Sequence, residues 1–358
     1  MTAAATDFLM PTLGADMQAG TLVAWRKRPG DAVHRGEILA EVDTEKGVID
    51  VEVFHDGVLD EIVVPVGSKV PVGTVIARMR GAGEPEPSIA PPPVPIPPAP
   101  TPPVPTSAAP AAVPPEPGVA AQKPSVPAAP ARPPAGERLT RMRQTIAAAM
   151  SRSKREIPHY YLATTIDLHR ATTWLAEVNA ARPIDTRLLP GVLLLKATAL
   201  ALRETPELNA VWEQERVVLR DTVHVGVAIS LRGGGLVILA LHDTATRSLD
   251  DLMAGLRGLT ARARAGRMKS SELADSTITV TSLGDRGVES VYGVIYPPQV
   301  AIVGFGKIVE RPWAVDGGVQ VRPVVTATLA ADHRVSDGHR GGLFLEAVER
   351  LLQEPEKL

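Results

Sequence analysis

The sequence predicts a multidomain protein in which an N-terminal all-β domain and a larger C-terminal domain of mixed α/β type are joined by a linker. Two observations lead to this fold class. Of the 34 prolines, 21 fall between Pro85 and Pro134, and proline fixes φ and removes a backbone donor. Apolar residues alternate at the strand period before this stretch, whereas both strand and helix periods follow it. We therefore place the domains at 5–81 and 137–358, with the linker at 82–136.

The N-terminal domain contains an internal repeat with an offset of 37 residues. Segment 20–40 aligns with segment 57–77 without a gap, and the glycines fall where tight turns need φ > 0. Two similar β-rich halves predict a small sandwich with a pseudo-twofold axis. The matching pairs are Gly20 and Gly57, Leu22 and Leu59, Gly30 and Gly67, Val33 and Val70, Gly36 and Gly73, and Ala40 and Ala77.

The linker is rich in alanine as well as proline and carries few charges. Such a segment cannot form a sheet or a continuous helix. We expect a disordered but extended and semi-rigid spacer, which at about 3 Å per residue could reach on the order of 100 Å. A slack, unstructured tether is the alternative.

The composition excludes several classes of function. The net charge is −2 and the pI is about 6.5, so the chain lacks the basic field typical of nucleic-acid binding. It has no cysteine, which removes disulfides, thiolate nucleophiles and cysteine-based metal sites, and we predict no metal site. No apolar run reaches the roughly 18–20 residues of a membrane span, and no signal or transit peptide precedes the first strand. We expect a bacterial cytoplasmic protein that binds neither nucleic acid nor membrane.

The stretch EVDTEKGVIDVEV (41–53) places one lysine where the two halves of the repeat meet. A hairpin joining the halves would hold Lys46 at a tight turn; an ordinary surface lysine is the alternative. With PGDAVHRGEILAEV before it and DGVLDEIVVPVGSKVPVG after it, the stretch resembles the lipoyl domain of 2-oxo acid dehydrogenase complexes. The resemblance implies a lipoyl/biotinyl-type barrel-sandwich with lipoate in amide linkage on Lys46. Related biotin carriers present Met-Lys-Met at this tip, whereas Glu45 and Gly47 favour lipoate.

Residues 137–358 alternate between helix-like and strand-like segments, and about 220 residues can bury a large core. Helices are predicted at 138–156, 186–208, 248–273 and 339–353. Strands are predicted at 159–168, 223–231, 235–241, 276–284, 299–308 and 321–331.

The polar stretch DHRVSDG follows the last of these strands. A strand end can hold a base rigidly, and histidine is the side chain best suited to proton transfer near neutral pH. His333 is therefore a candidate base, Asp332 and Asp337 are candidates to orient polar groups around it, and Gly338 permits a sharp turn. A surface loop with incidental charges is the alternative.

The motif D-H-R-x-x-D-G, together with RLTRMRQTIAAAMSRSK, IPHYYL, PELNA, TITVTSLG and PPQVAIVGFGKI, resembles the catalytic domain of dihydrolipoamide acyltransferases, the E2 components of 2-oxo acid dehydrogenase complexes. The resemblance extends to the chloramphenicol acetyltransferase fold and implies a mixed sheet. It implies acyl transfer from S-acyl-dihydrolipoyl-lysine to coenzyme A, with His333 as the base and Thr281 as the oxyanion donor. Asp337 would hold the loop through an arginine, and Ser282 and Gly306 would contact coenzyme A.

The same resemblance implies partners and two alternatives. The partners are the 2-oxo acid decarboxylase/dehydrogenase (E1) and dihydrolipoamide dehydrogenase (E3), around a core of homotrimers whose active sites lie between subunits. Residues 82–136 lack the P-x-x-R-x-x-A helix and G-T-G-x-x-G-R loop of the usual domain that binds them, so E1 and E3 would bind elsewhere or through another chain. Asp285 and Arg286 replace apolar residues near the implied acyl pocket, which leaves the acyl group open. A non-catalytic lipoyl-bearing scaffold and a biotin or generic carrier are the alternative functions.

Overall fold

The computed structural model describes residues 6–13, 17–44, 47–81, 135–231, 235–283 and 287–358. Lys46, Asp285, Arg286 and almost all of the predicted linker lie outside these ranges. Within them, no helix is long and apolar enough to span a membrane.

Residues 6–81 form a β-sandwich of eight strands. They are β1 (Thr6–Leu9), β2 (Ala19–Trp25), β3 (Ala32–Val33), β4 (Ile38–Thr44), β5 (Gly47–Glu52), β6 (Gly57–Ile62), β7 (Lys69–Pro71) and β8 (Val75–Arg80). One sheet has the order β1-β8-β6-β3 and the other contains β5-β4-β2-β7. Every pairing among these eight strands is antiparallel.

The internal repeat is the pseudo-twofold symmetry of this sandwich. Strands β2, β3 and β4 correspond to β6, β7 and β8, and the pairing of β2 with β7 has its mate in the pairing of β6 with β3. The matched residues also agree in environment: Leu22 and Leu59 are both fully buried, and Gly30 and Gly67 have φ of 95° and 92°. The prediction of two similar β halves is confirmed.

The second part of the chain forms six helices and ten strands within the described ranges. The helices are α1 (Ala135–Glu156), α2 (His169–Ala180), α3 (Pro190–Glu204), α4 (Leu249–Ala265), α5 (Ser270–Ala274) and α6 (Gly338–Leu352). The strands are β9 (His159–Asp167), β10 (Ala210–Glu213), β11 (Arg216–Leu219), β12 (Val225–Ser230), β13 (Leu236–Leu241), β14 (Arg267–Lys269), β15 (Ile278–Ser282), β16 (Ala301–Phe305), β17 (Val309–Val315) and β18 (Gly318–Asp332).

These strands build the predicted mixed sheet, with the order β13-β12-β15-β16-β18-β17 and with β9 pairing β18. The pairings β12–β15 and β15–β16 are parallel, and the others are antiparallel. Helices α3 and α6 pack against each other, and their apolar residues join the sheet in one large core, which includes Phe305 and Phe344. The fold therefore places the motif DHRVSDG at the carboxyl end of the long strand β18.

Two predicted helices are longer than the observed ones. The helix predicted at 248–273 ends at Ala265, because Gly266 adopts the left-handed conformation with φ of 69° and closes it. Residues 267–269 instead form β14, which pairs with β5 of the first domain. The helix predicted at 186–208 is α3 alone, flanked by short 3₁₀ turns. Helix α2, the β10–β11 hairpin and β17 were not predicted.

Candidate functional site

His333 lies directly after β18, on a strand end that is held from both sides. Its backbone N–H donates to the carbonyl of Pro158 at 2.9 Å, and the preceding residue Asp332 donates its N–H to Val300 at 2.9 Å. In the sheet register, Asp332 stands opposite His159. The imidazole of His333 itself is exposed, so the backbone is fixed while the ring remains accessible.

Asp332 organises the turn that follows. Its carboxylate is fully buried and accepts hydrogen bonds from Arg334 through the backbone N–H and Nε, both at 3.0 Å, and through Nη2 at 2.6 Å. The guanidinium of Arg334 also lies over the ring of Trp212, 4.3 Å from its centroid. Buried carboxylates need such paired partners, and the result is a turn whose shape is set by its own charges.

Two neighbouring aromatic residues complete the surroundings of His333. The Tyr160 ring meets the imidazole edge-on, with centroids 5.3 Å apart, and its hydroxyl shares a 2.8 Å hydrogen bond with Ser336. Burial raises the pKa of Tyr160. His159 accepts from Ile295 N–H through Nε2 at 3.1 Å, so its Nδ1 donates to the Ile157 carbonyl. Sequence reasoning noted IPHYYL only as a resemblance and gave neither residue a role.

Asp337 has a different contact from the one expected. It is the N-cap of α6, where its carboxylate accepts from the backbone N–H of Arg340 at 3.0 Å, and this hydrogen bond lowers the pKa of Asp337. The side chain of Arg340 pairs instead with Glu207. The arginine that holds the turn is Arg334, and it is bound by Asp332.

Thr281 lies near the carboxyl end of β15 and is half-buried. It lines a cavity of about 280 Å³ whose other walls come from α1, β12, β13 and the segment before β16. Most of the lining side chains are apolar, among them Met150, Ile238, Val291 and Ile302. The neighbouring Ser282 is exposed at the end of the same strand.

The sheet register shows that one chain does not bring Thr281 and His333 together. Thr281 stands beside Gly304 of β16, which stands beside Thr328 of β18. His333 lies five residues beyond Thr328, which is about 16 Å along the strand at about 3.3 Å per residue. A further two strand spacings, about 10 Å, separate them across the sheet.

Gly306 is buried and packed against backbone. A Cβ at this position would lie 1.9 Å from the carbonyl oxygen of Glu289, so only glycine fits. Its N–H donates to Thr326. This packing explains the glycine without a ligand, and the predicted contact with coenzyme A stays a prediction.

The described residues on either side of Lys46 define a hairpin. Thr44 and Gly47 pair in the β4–β5 register, and the Thr44 hydroxyl donates to the Gly47 carbonyl at 3.0 Å. Gly47 has φ of 136°. Residues 45 and 46 lie between these two strands in sequence and outside the described residues, so the attachment of lipoate to Lys46 stays a prediction. Among the described residues, no group of three or more His, Asp or Glu could hold a metal.

Comparison with known proteins agrees with this architecture. Residues 132–358 match the family of 2-oxoacid dehydrogenases acyltransferase (catalytic domain). Residues 6–79 match the biotin/lipoyl family described as biotin-requiring enzyme. The two matches fall on the two domains and leave the proline-rich segment between them unmatched.

Three relatives illustrate the similarity. The acetyltransferase component of the Zymomonas mobilis pyruvate dehydrogenase complex is 28% identical, covering 97% of each chain. The succinyltransferase component of the mitochondrial 2-oxoglutarate dehydrogenase complex of Bos taurus is 32% identical, covering 94% of this chain and 80% of the relative. Among solved structures, the cubic core of a pyruvate dehydrogenase multienzyme complex is 26% identical with a TM-score of 0.57, covering 61% of this chain and 90% of the other.

Proposed function

Because the chain belongs to the family of 2-oxoacid dehydrogenase acyltransferases, we propose that it moves an acyl group from a dihydrolipoyl group on Lys46 to coenzyme A, within a 2-oxo acid dehydrogenase complex. The main observation in support of this proposal is the position of His333 at the end of β18. An accessible imidazole on a fixed strand end, beside a buried and paired Asp332, suits the role of general base.

The hairpin between β4 and β5 suits a covalently attached carrier. Thr44 and Gly47 pair at the ends of the two strands, and Lys46 lies between them in sequence. When bound there, lipoate supplies a thioester on a long arm, and coenzyme A supplies the accepting thiol. The absence of Met-Lys-Met around Lys46 favours lipoate over biotin.

His333 takes the proton from the coenzyme A thiol, because the thiolate is the nucleophile. The thiolate sulfur bonds to the acyl carbon, the bond from that carbon to the dihydrolipoyl sulfur breaks, and the imidazolium returns the proton to the departing sulfur. The Asp332–Arg334 pair keeps the turn fixed while the imidazole changes charge.

The hydroxyl of Thr281 donates a hydrogen bond to the acyl oxygen as negative charge develops on that oxygen. A donor of this kind is worth about 3–4 kcal/mol of barrier. The apolar cavity that Thr281 lines would receive the acyl chain. Because Thr281 and His333 are far apart in one chain, we propose that the complete site forms between neighbouring subunits of a homotrimer, with Thr281 of one and His333 of the next. The likeness to a cubic core supports such assembly.

The proposed partners are E1, which would acylate the lipoyl group, and E3, which would reoxidise it. The relatives are themselves components of multienzyme complexes. These relatives carry different acyl groups, acetyl and succinyl, so the acyl group of this chain has to be measured.

The test is acyl-CoA formation by the purified full-length protein from acyl-dihydrolipoamide, with acetyl, branched-chain and succinyl donors compared. His333→Ala should lower the rate by about 10²–10⁴ through loss of general-base catalysis. His339→Ala, an exposed histidine six residues away, is the matched control and should keep the rate. Mass spectrometry should find a lipoyl adduct on Lys46. An unchanged rate for His333→Ala would end the proposal, and an inactive but lipoylated wild type would favour the scaffold function.

A further inference from the structure

The catalytic domain adds a fifth strand to one sheet of the lipoyl domain. Strand β14 pairs in parallel with β5, with Arg267 beside Val48, Met268 beside Ile49 and Lys269 beside Asp50. The resulting sheet has the order β14-β5-β4-β2-β7. Adding a strand to an open sheet edge is a common mode of recognition, in which backbone hydrogen bonds supply affinity and side chains supply specificity.

The lipoyl domain places two buried acidic side chains at this contact. Successive residues of a strand point to opposite faces; Ile49 and Val51 fill the sandwich core, so Asp50 and Glu52 face outwards. They are nonetheless only 7% and 6% exposed. Carboxylates are rarely buried so far without a partner, which implies that the catalytic domain provides one.

Glu52 has several such partners. Its carboxylate pairs with Lys269 Nζ at 2.9 Å and accepts from the hydroxyl of Ser271. Its backbone N–H donates to the hydroxyl of Ser270 at 3.2 Å. All three residues lie more than 200 positions from Glu52 in sequence, so these contacts belong to the docking of two domains.

The other charged residues at this contact are also acidic on the lipoyl domain and basic on β14. Arg267 lies 3.6 Å from the carboxylate of Glu41 on β4, and its charge, with that of Lys269, favours the ionised form of Asp50. Burial has the larger effect and raises the pKa of Asp50. An acidic face of the lipoyl domain therefore meets a basic strand of the catalytic domain.

The outer face of the opposite sheet provides an internal comparison. There Glu61 pairs with Arg78, which also approaches Asp7. These three side chains are each about half exposed, at 56%, 50% and 53%. Since the two sheets are related by the pseudo-twofold axis, the difference in burial marks one face as the docking face and the other as ordinary surface.

One apolar residue connects the contact to the acyl cavity. Leu273, in α5, packs against the cores of both domains and also lines the cavity that contains Thr281. Strand β5 begins one residue after Lys46. Helix α5 contacts β5 at Glu52, so the docked domain meets this wall of the cavity at the end of β5 that lies away from Lys46.

We propose that β14 is the docking strand on which the lipoyl domain of the same chain seats itself, held by strand addition and by the Glu52–Lys269 pair. A role for this docking in acyl transfer rests on the proposed function, whereas the contact between the two domains is independent of that function. A linker of about fifty residues joins the two domains, so docking occurs within one chain and a modest contact suffices to hold the lipoyl domain.

The absence of native cysteine makes a direct test possible. Val48→Cys with Arg267→Cys introduces the only two thiols, on adjacent strand positions whose spacing suits a disulfide. The control pair is Lys69→Cys with Arg267→Cys, because Lys69 is exposed at the other edge of the same sheet. Full-length protein is oxidised mildly without donor or coenzyme A, and the bridge is scored by mass spectrometry after proteolysis and by the mass of the intact denatured chain.

Docking predicts a bridge within one chain for the first pair, and at least tenfold less for the control. Adding Glu52→Lys should reduce the bridged fraction by about tenfold or more, because a buried charge would lose its partner; adding Lys269→Glu as well should restore it. Glu61→Lys on the exposed face should leave it unchanged. Equal bridging in both pairs, a bridge mainly between two chains, or no response to Glu52→Lys would overturn the proposal. Failure of acyl transfer with intact bridging would instead overturn the proposed function.

Discussion

A subunit carrying His333→Ala and a subunit carrying Thr281→Ala should restore activity to each other when they assemble together. Alone, the first lacks the base and should lose about 10²–10⁴ in rate, and the second lacks the oxyanion donor and should lose about 10²–10³. In a mixed assembly, some sites would combine the intact Thr281 of one subunit with the intact His333 of its neighbour.

The expected size of this rescue follows from the strand register. Thr281 and His333 are separated by about 16 Å along the strands and about 10 Å across them, or roughly 19 Å in all. A hydrogen bond spans about 3 Å, so an intact sheet cannot place both side chains of one chain on one acyl group. With random mixing at equal amounts, a site between subunits contains both intact residues in about one quarter of cases; a site within one chain never does.

The assay is acyl-CoA formation by co-expressed variants, with the subunit ratio measured by mass spectrometry. Wild type co-expressed with the double variant His333→Ala/Thr281→Ala is the control. Sites between subunits should again give about one quarter of the wild-type rate, whereas sites within a chain should give about one half. Single variants that stay inactive together, with a control at one half, would refute the two-subunit site.

Two further predictions concern stability and pH. Gly306→Ala should cost about 1–3 kcal/mol or more in urea unfolding, because its Cβ would collide with the Glu289 carbonyl; Gly342→Ala, at an exposed helical position with open space around it, should stabilise by about 0.5–1 kcal/mol. The hydrogen bond and charge of Asp275 raise the pKa of His242, so NMR titration of His242 in Asp275→Asn should show a lower pKa. Since the raised pKa belongs to the folded state, the stability lost in Asp275→Asn should be largest below the ordinary histidine pKa of about 6.5 and should disappear as pH rises through the folded value. A His242 pKa that is unchanged in Asp275→Asn would contradict the assignment.

The β-sandwich could be predicted from sequence because its signals are local and repeated. Each glycine that the repeat aligned at a turn has positive φ in both halves, as Gly36 and Gly73 show with 85° and 81°. Each aligned apolar position that was expected inside is buried, as Val33 and Val70 show. Two independent copies of one pattern reduce the ambiguity that a single short strand would leave.

The β10–β11 hairpin was missed for an identifiable reason. Its turn has positive φ at Gln214 and Glu215, 49° and 60°, where hairpins usually have Asn, Asp or Gly. Neither residue gives a turn signal in the sequence. The hairpin is imposed by tertiary context, including the contact of Val211 with Gln299.

Strand β14 was missed because its partner is distant in sequence. RMK continues the helical periodicity of α4, and three residues are too few to show a strand period. What makes it a strand is β5, more than 200 residues earlier. The site shows the same limit: the motifs identify His333 and Thr281 individually, whereas the distance between them depends on the sheet register.

The pseudo-twofold axis of the lipoyl domain has a mechanical consequence. The β4–β5 pair, which flanks the proposed attachment residue Lys46, has its symmetry mate in the pairing of β8 with β1, and β8 is followed by the linker. Thr44 and Gly47, on either side of the proposed attachment site, and Arg80, the last residue of β8, therefore lie at opposite ends of the sandwich. Because the linker follows β8 at the end opposite the proposed lipoyl site, the length of the domain adds to the distance that a lipoyl group could reach. This length is about 20 Å for a six-residue strand.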